Sequence, residues 1–331
     1  MRKIKVLGIV LLVVLLFMLV INIIPPKKSV DYNPFISTTG KPMVIAHRGG
    51  AVNNPENTLK AYKASVYEYN VDVLETDLYL TKDKRLVCIH NSTINATTDV
   101  VEVTKEDKKH YIIDYTLEEL KSFNFGYNFK DSSDEYLYRD IVGINDLNKR
   151  EVLKQNDLQI ITIEELFDEF YSNYKELLFV IEIKNSGELG YEASDILYDV
   201  LINKYPDYKK NVVVGTFHDE IEVYLNNNYS DLYLGASMTN AAQFVATEML
   251  KVNMFDKCEF ACLQLPTSFE VGPINLNLSK KSYIKRAHRR NLAVQYWTIN
   301  DSDEMRNLIE LGVDGIMTDN PKLLNKILSE Y

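Results

Sequence analysis

The chain of 331 residues has only three cysteines, five histidines and one tryptophan. Three cysteines cannot form a disulfide framework, and their odd number leaves at least one thiol unpaired. The formal net charge of −10 argues against nucleic acid as a main partner, because phosphate binding needs clustered cations. A hydrophobic share of 46% and a charged share of 25% are ordinary for a globular protein and exclude disorder. Nothing in the composition indicates a protein partner.

The N-terminal segment, up to Val30, contains no acidic side chain, but it includes five basic ones: Arg2, Lys3, Lys5, Lys27 and Lys28. Val6–Ile24 is a long apolar run, broken only by Gly8 and Asn22. At about 1.5 Å per residue, a helix of this length nearly crosses a hydrocarbon core of about 30 Å. The excess of positive charge before the run predicts a cytoplasmic N-terminus. We expect residues 1–28 to anchor the chain in the cell membrane as a single span, residues 29–41 to be a linker, and the remainder to be extracytoplasmic.

Two other interpretations of the apolar run stay open. A cleaved signal peptide normally has a shorter apolar core of about 7–15 residues, followed by a small-residue cleavage site. Here the run continues into Ile23, Ile24, Pro25 and Pro26, and no such site follows it. A buried core helix is the third interpretation. The length of the run and its flanking charges favour the retained anchor.

After residue 42, short apolar segments that resemble strands alternate with amphipathic helical segments. This alternation predicts an α/β fold with a parallel sheet. The predicted strands are Met43–Ala46, Val73–Leu78, Leu86–Ile89, Leu178–Ile183, Val212–Phe217, Leu232–Gly235, Phe260–Leu265, Leu292–Trp297 and Val313–Met317.

Nine strands are one more than a (β/α)₈ TIM barrel contains, and one short connection explains the excess. Only Tyr79–Arg85 separates the second strand from the third, which is too short for a parallel crossover. We therefore expect Leu86–Ile89 to run antiparallel in a hairpin, leaving eight parallel strands for a closed barrel. The long gap that follows predicts an insertion over residues 91–162, which acts as a lid or as a substrate-binding subdomain, and residues 42–331 form the barrel domain.

Reactive side chains follow several of these strands at the point where each strand ends. They are His47 and Arg48 after the first strand, Glu75 and Asp77 in the second, His90 after the hairpin strand, and Glu182 and Lys184 in the fourth. In a TIM barrel these positions share one rim, where active sites lie. The i, i+2 spacing of Glu75 and Asp77 places both side chains on the same face of their strand.

The residue types on this rim favour phosphodiester chemistry. Carboxylates that share one face repel each other unless a cation binds them, and ligands that are all oxygen select Ca²⁺ or Mg²⁺. A hard cation beside Arg48 and Lys184 would attract an anion. Two histidines next to it are suited to proton transfer near neutral pH.

The same residues, in this order and spacing, resemble the glycerophosphodiester phosphodiesterases. The resemblance rests on these segments: His47-Arg48-Gly49-Gly50, Pro55-Glu56-Asn57-Thr58, Glu75-Thr76-Asp77, the strand that ends in His90, Glu182-Ile183-Lys184, Trp297-Thr298-Ile299-Asn300 and Gly312 to Pro321. It covers residue 43 to about residue 325. It implies a TIM barrel of the phosphodiesterase type and a substrate that is a small or lipid-derived phosphodiester.

By the same resemblance, each site residue receives a role. It implies that Glu75, Asp77 and Glu182 bind Ca²⁺ or Mg²⁺, and that His47 and His90 are the catalytic acid and base. Arg48 and Lys184 would hold the phosphate, and Trp297 would line the substrate pocket. The family usually has Asp after the second histidine, whereas this chain has Asn91. We expect His90 to be a weaker base for that reason.

The sequence therefore predicts metal-dependent hydrolysis of glycerophosphodiesters to glycerol phosphate and an alcohol. Two alternatives stay open. One is a lipid phosphodiesterase that acts on a lysophospholipid or a sphingolipid. The other is a non-catalytic module that binds phosphoesters.

Overall fold

A computed structural model describes residues 2–331; Met1, the first residue of the predicted anchor, lies outside the described residues, as do the side chains of residues 2–5, 271 and 274. Eight parallel strands form the centre of the fold. They are β1 (Met43–Ala46), β2 (Val73–Leu80), β4 (Leu178–Ile183), β5 (Val212–Gly215), β6 (Tyr233–Leu234), β7 (Cys262–Leu265), β10 (Ala293–Tyr296) and β11 (Gly315–Thr318).

The strands follow one another around a nearly closed barrel in the order β6, β5, β4, β2, β1, β11, β10, β7. Between the two ends of this series, the Ala261 amide donates to the Leu234 carbonyl at 2.7 Å and the Ala236 amide donates to the Cys262 carbonyl at 2.9 Å. These bonds bring β6 beside β7. The predicted (β/α)₈ barrel is confirmed.

The hairpin predicted after the second strand is also present. Strand β3 (Leu86–Cys88) pairs antiparallel with β2, and Leu78 faces Cys88. The Ile89 amide then donates to the Asp77 carbonyl at 2.9 Å, which holds the chain before His90 beside the end of β2. A second hairpin, β8 (Ser268–Val271) with β9 (Ile274–Asn277), was not predicted from the sequence.

Helices surround the barrel, and local signals mark where several of them begin and end. The longer helices are α6 (Ile163–Tyr171), α7 (Gly187–Asn203), α8 (Asp219–Asn228), α9 (Met238–Met249), α10 (Lys281–His288), α11 (Ser302–Leu311) and α12 (Pro321–Leu328), and a short helix, α2 (Leu59–Lys63), follows β1. Thr162 and Glu165 form a reciprocal capping box at the start of α6, and Asp301 caps α11, which ends at Gly312 with φ 75°.

The segment predicted as an insertion contains three short helices, α3 (Val100–Thr104), α4 (Leu117–Leu120) and α5 (Lys149–Gln155). It has a small hydrophobic cluster of its own, which includes Ile94, Ile112 and Phe123 and joins the barrel through Val87 on β3. This packing fixes the insertion against the strand that leads to His90.

Helix α1 (Arg2–Ile23) precedes the barrel. Within the described residues, Val6–Ile23 is the one stretch long and apolar enough to cross a membrane, and its composition is compatible with a span or with a signal sequence. The polar residues 29–41 do not extend freely from the barrel. Phe35 is fully buried against residues near the amino ends of the barrel strands. The Asn33 side chain donates to the Ala261 and Asn291 carbonyls at 2.8 Å.

Candidate active site

One cavity of about 660 Å³ opens at the carboxyl ends of the strands. All eight side chains that the sequence singled out lie around it: His47, Arg48, Glu75, Asp77, His90, Glu182, Lys184 and Trp297. They come from five strands and the loops that follow them, so the barrel, and no single motif, assembles this group.

The turn after β1 has an unusual backbone conformation, with three successive residues at positive φ. Arg48 has φ 51°, and Gly49 and Gly50 have φ 78° and 86°, which is the left-handed region that glycine adopts without strain. A Cβ on Gly49 would also lie 3.0 Å from the Cβ of Ala61. With the chain turned in this way, the Arg48 amide donates to Glu75 Oε2 at 2.7 Å. The turn therefore links the first strand to the carboxylates of the second.

Three carboxylates crowd this rim. Glu75 and Asp77 are almost fully buried on β2, and Glu182 is paired with Asp77 in the register of β2 and β4. Burial, reinforced by the charge of Asp77, raises the pKa of Glu75 from 4.5 to about 8. The same two causes raise the pKa of Glu182 to about 6. Ionising all three carboxylates at once is therefore costly without added positive charge.

Two cations lie against this group but do not balance it. Lys184 Nζ is 2.8 Å from Glu182 Oε1 and 3.6 Å from Asp77 Oδ1. Arg48 Nη1 donates to Glu56 Oε2 at 3.1 Å, and its Nε lies 3.7 Å from Asp77 Oδ2. That Nε is buried and makes no hydrogen bond with any described residue. Both cations thus border the cavity, and the Arg48 Nε is left without a hydrogen-bond partner among the described residues.

The two histidines have opposite environments. Burial lowers the pKa of His47, but the charge of Glu75 and a 2.6 Å hydrogen bond between His47 Nδ1 and Asp319 Oδ1 outweigh burial and raise the pKa above 6.5. Burial lowers the pKa of His90, and its Nδ1 contacts the neutral Asn91 Oδ1 at 3.1 Å. His47 is therefore easier to protonate than His90.

Asp319 was not assigned a role from the sequence, although it lies in the last segment that carries the resemblance. It directly follows β11, and the Asn300 Nδ2 donates to its other oxygen at 2.7 Å. The Asn300 Oδ1 in turn accepts from the Asp319 amide at 3.0 Å. Its position directly after a barrel strand could have indicated a role in the site, because the residues predicted to be catalytic also follow strands. Asp319 is a positioning residue for His47.

Replacing Asp319 with asparagine should lower kcat at least about tenfold, because the His47 imidazolium loses its charged partner. Without that partner the pKa of His47 falls. A reaction that needs protonated His47 therefore begins to lose activity at a lower pH as the pH is raised. A pH profile of kcat/KM should show its alkaline limb moved toward acid. An unchanged profile with reduced kcat would assign Asp319 a merely structural role. The Asp301→Asn variant, which changes an exposed helix cap, is the control.

The donor set fits a hard divalent cation. Glu75, Asp77 and Glu182 offer oxygen atoms only, and burial together with the charge of Asp77 raises the pKa of both glutamates, which disfavours ionising the whole group. Among the described residues, no group of three or more His, Cys, Asp or Glu side chains is already placed so that it could hold a metal ion. Lys184 lies between two of the carboxylates, where its charge partly offsets theirs.

The other part of the cavity is apolar. One face of α9 lines this part with apolar side chains at helical spacing. We call them the stripe; they extend from Met238 to Met249, about 17 Å at about 1.5 Å per residue. Phe269 and Leu276 of the unpredicted hairpin also line this part of the cavity, and Phe217 packs edge-to-face against Trp297 with ring centroids 5.8 Å apart. The stripe consists of Met238, Ala241, Ala242, Val245, Ala246 and Met249. Phe217 lies beyond the end of β5, where the His218 amide donates to Thr216 Oγ1 at 3.2 Å.

A family model described as the glycerophosphoryl diester phosphodiesterase family matches residues 47–323, which contain every side chain described above. The chain belongs to this family. The resemblance seen in the sequence is thereby confirmed.

Relatives and solved structures agree with this assignment. A glycerophosphodiester phosphodiesterase of Caldanaerobacter subterraneus subsp. tengcongensis is 27% identical over 289 residues, covering 86% of this chain and 96% of that protein. The mouse protein named Lysophospholipase D GDPD1 is 25% identical over 307 residues, covering 87% and 86%. A phosphodiesterase of Oleispira antarctica, solved in complex with the product sn-glycerol-3-phosphate, has a TM-score of 0.62 at 21% identity and covers 87% of this chain and 97% of that one.

Proposed function

We propose that this protein hydrolyses glycerophosphodiesters to glycerol phosphate and an alcohol, with His47 and His90 as acid and base and a divalent cation as cofactor. The observation that carries the proposal is a pair of histidines with opposite pKa shifts on one cavity, beside two cations and a cluster of three carboxylates. Family membership supports the reaction class, and so does the product complex of the Oleispira antarctica structure.

In this mechanism Arg48 and Lys184 hold the phosphate in the cavity. His90 removes the proton from the attacking hydroxyl, which belongs to water or to the neighbouring glycerol. The new P–O bond forms while the P–O bond to the alcohol breaks, and His47 gives its proton to the departing oxygen. Attack by water gives glycerol phosphate directly. Attack by the glycerol hydroxyl gives a cyclic glycerol phosphate, which a water then opens with the two histidines in exchanged roles. A bound Ca²⁺ or Mg²⁺, held by Glu75, Asp77 and Glu182, would draw charge from the phosphate oxygens.

The predicted location is part of the same proposal. Helix α1 would stay in the cell membrane as a single span with a cytoplasmic N-terminus, and the barrel would act outside the cytoplasm. The apolar composition of Val6–Ile23 supports this, together with the basic residues on both sides of the run.

A product-release assay on the full-length protein in detergent tests the proposal. The substrates are glycerophosphocholine, glycerophosphoethanolamine, a lysophospholipid and polyglycerol phosphate, each with chelator and after adding back Ca²⁺ or Mg²⁺. We expect turnover that chelator abolishes and one of the two ions restores. Saturable binding of glycerophosphodiesters to metal-supplied protein without product release would establish the non-catalytic alternative instead.

The apolar half of the cavity favours the lipid alternative as a second candidate function. A glycerophosphodiester without acyl chains has no group to fill a stripe that runs the length of α9. Four stripe residues, Met238, Ala242, Ala246 and Met249, are not buried by the surrounding chain. Filling this surface with a hydrocarbon chain would remove it from water. The substrate of this candidate is a lysophospholipid, in agreement with the name of the mouse relative.

Replacing Ala246 with tryptophan separates the two candidates. The bulky ring would fill the stripe about 12 Å along α9 from Met238, at about 1.5 Å per residue, and leave the catalytic rim untouched. If the stripe binds an acyl chain, kcat/KM for lysophosphatidylcholine should fall about tenfold or more, while the value for glycerophosphocholine changes little. Val223→Trp, at an exposed position on α8 away from the cavity, is the matched control. Equal losses for both substrates would argue against an acyl-chain site.

A further inference from the structure

A surface next to the end of α1 combines exposed apolar side chains with positive charge. The shoulder, as we call residues 249–255, begins at the last residue of α9 and exposes Met249, Leu250 and Phe255 by 53%, 68% and 62%. Large apolar side chains exposed side by side indicate an interaction surface.

The shoulder is fixed to α1 at a defined depth. The ring of Phe255 stacks on Phe17 with centroids 6.4 Å apart, and the Asn22 side chain donates to the Lys251 carbonyl at 3.0 Å. At about 1.5 Å per residue, Phe17 lies about 9 Å before Ile23, the end of the apolar helix. If α1 spans the membrane, Phe17 is inside the hydrocarbon region. Its stacking partner Phe255 must then be there too.

Positive charge borders this surface. Residues 280–290, which include all of α10, contain six lysines and arginines and no acidic residue, in a chain whose net charge is −10. Arg289 donates to the Ile23 and Ile24 carbonyls at the end of α1. Lys257 and Lys285 are exposed, and no carboxylate among the described residues lies within 4 Å of either ammonium. Cations placed beside an exposed apolar surface such as the shoulder attract anionic headgroups at a membrane.

We propose that the shoulder is a second membrane contact, in which Leu250 and Phe255 insert into an anionic bilayer and Lys257 and Lys285 bind its headgroups. The inference rests on the proposal that α1 is a retained span. It also explains why residues 29–41 are docked, because Phe35 and Asn33 fix the barrel to the chain that leaves the membrane.

The contact has a consequence for the cavity. Met249 belongs both to the shoulder and to the apolar stripe of α9. The stripe therefore runs from the catalytic rim to the membrane surface. A lipid whose phosphodiester lies at His47 would leave its acyl chain pointing along α9 toward the bilayer from which it came.

Fluorescence quenching in reconstituted vesicles tests the proposal. The three native cysteines, Cys88, Cys258 and Cys262, are buried, so single surface cysteines are selectively labelled. The full-length variants Leu250→Cys and Phe255→Cys carry an environment-sensitive fluorophore, and Leu147→Cys, fully exposed in the insertion, is the control. The vesicles contain phosphatidylcholine and phosphatidylglycerol, with nitroxide on the acyl chains of a fraction of the lipid.

We expect acyl-chain nitroxide to quench the labels at 250 and 255 several-fold more than the label at 147, and aqueous iodide to do the reverse. Labels at 250 and 255 that behave like the label at 147 would overturn the proposal. Intact mass of the same samples shows whether α1 is retained. If the helix has been removed while turnover persists, the membrane contact is refuted and the proposed hydrolysis stands.

The role of Lys257 and Lys285 is tested separately, by reversing their charge or by removing the anionic lipid. Lys257→Glu with Lys285→Glu, or omission of phosphatidylglycerol, should reduce lipid quenching at residue 255. Lys105→Glu with Lys109→Glu, two exposed lysines of the insertion, should leave it unchanged. Undiminished quenching without phosphatidylglycerol and in the charge-reversed variant would overturn the role given to the two lysines.

Discussion

Replacing His47 with alanine is expected to lower kcat for glycerophosphodiester hydrolysis by about 10²–10⁴-fold, the usual contribution of a positioned acid or base. The side chain lines the cavity, and its bond to Asp319 fixes the ring and favours its protonated form. KM should change little, because Arg48 and Lys184 remain to bind the phosphate. Product release measured at saturating substrate gives kcat directly.

The chain offers a matched control for this variant in His218. It follows β5 on the same rim, but it contacts the Lys184 carbonyl at 3.3 Å and does not line the cavity. His218→Ala should therefore keep nearly full activity. If the two alanine variants were equally active, His47 would not be the acid and the proposed assignment would fail.

Much of the barrel could be predicted because strand identity is encoded locally. Met43–Ala46 and Leu178–Ile183 have the bounds that their apolar runs indicated, since a strand buried on both faces needs a continuous apolar segment. The short connection after β2 required a hairpin, which the structure contains. These predicted elements were enough to predict that the candidate residues lie on one rim of the barrel.

The apolar half of the cavity could not be predicted in the same way. Its walls are α9 and the β8–β9 hairpin, and the stripe on α9 looks like the core face of any barrel helix. Only the packing shows that residues such as Ala242 and Ala246 stay accessible and line the same cavity as Phe269. A periodic pattern indicates which residues share a face, but it does not indicate what covers that face.

Asp319 shows a different limit of the sequence. Its segment was part of the resemblance, yet its role depends on a 2.6 Å contact with a residue 272 positions earlier. That contact exists because β11 pairs directly with β1, placing Thr318 beside Ala46. Closure of the barrel, which pairs the last strand with the first, is what creates the interaction.

The carboxylate cluster leads to the second prediction, which concerns stability. Folding raises the pKa of Glu75 from 4.5 to about 8 through burial and the charge of Asp77. Between these values the folded state keeps a proton that the unfolded state has lost, so stability falls as pH rises through this window. In metal-free protein, the decrease in Tm from about pH 5 to about pH 8 should be larger in the wild type than in Glu75→Gln by about 5 °C.

A divalent cation should reverse this loss, because it binds the ionised carboxylate and the folded state alone presents the site. Adding Ca²⁺ or Mg²⁺ at about pH 8 should raise the Tm of the wild type and leave that of Glu75→Gln nearly unchanged. Glu135→Gln, which neutralises an exposed carboxylate of the insertion, should respond like the wild type. An equal rise in all three proteins would place the ion elsewhere. A site built from repelling carboxylates is thus less stable when empty than its neutral variant, and the same repulsion is what gives the ion its affinity.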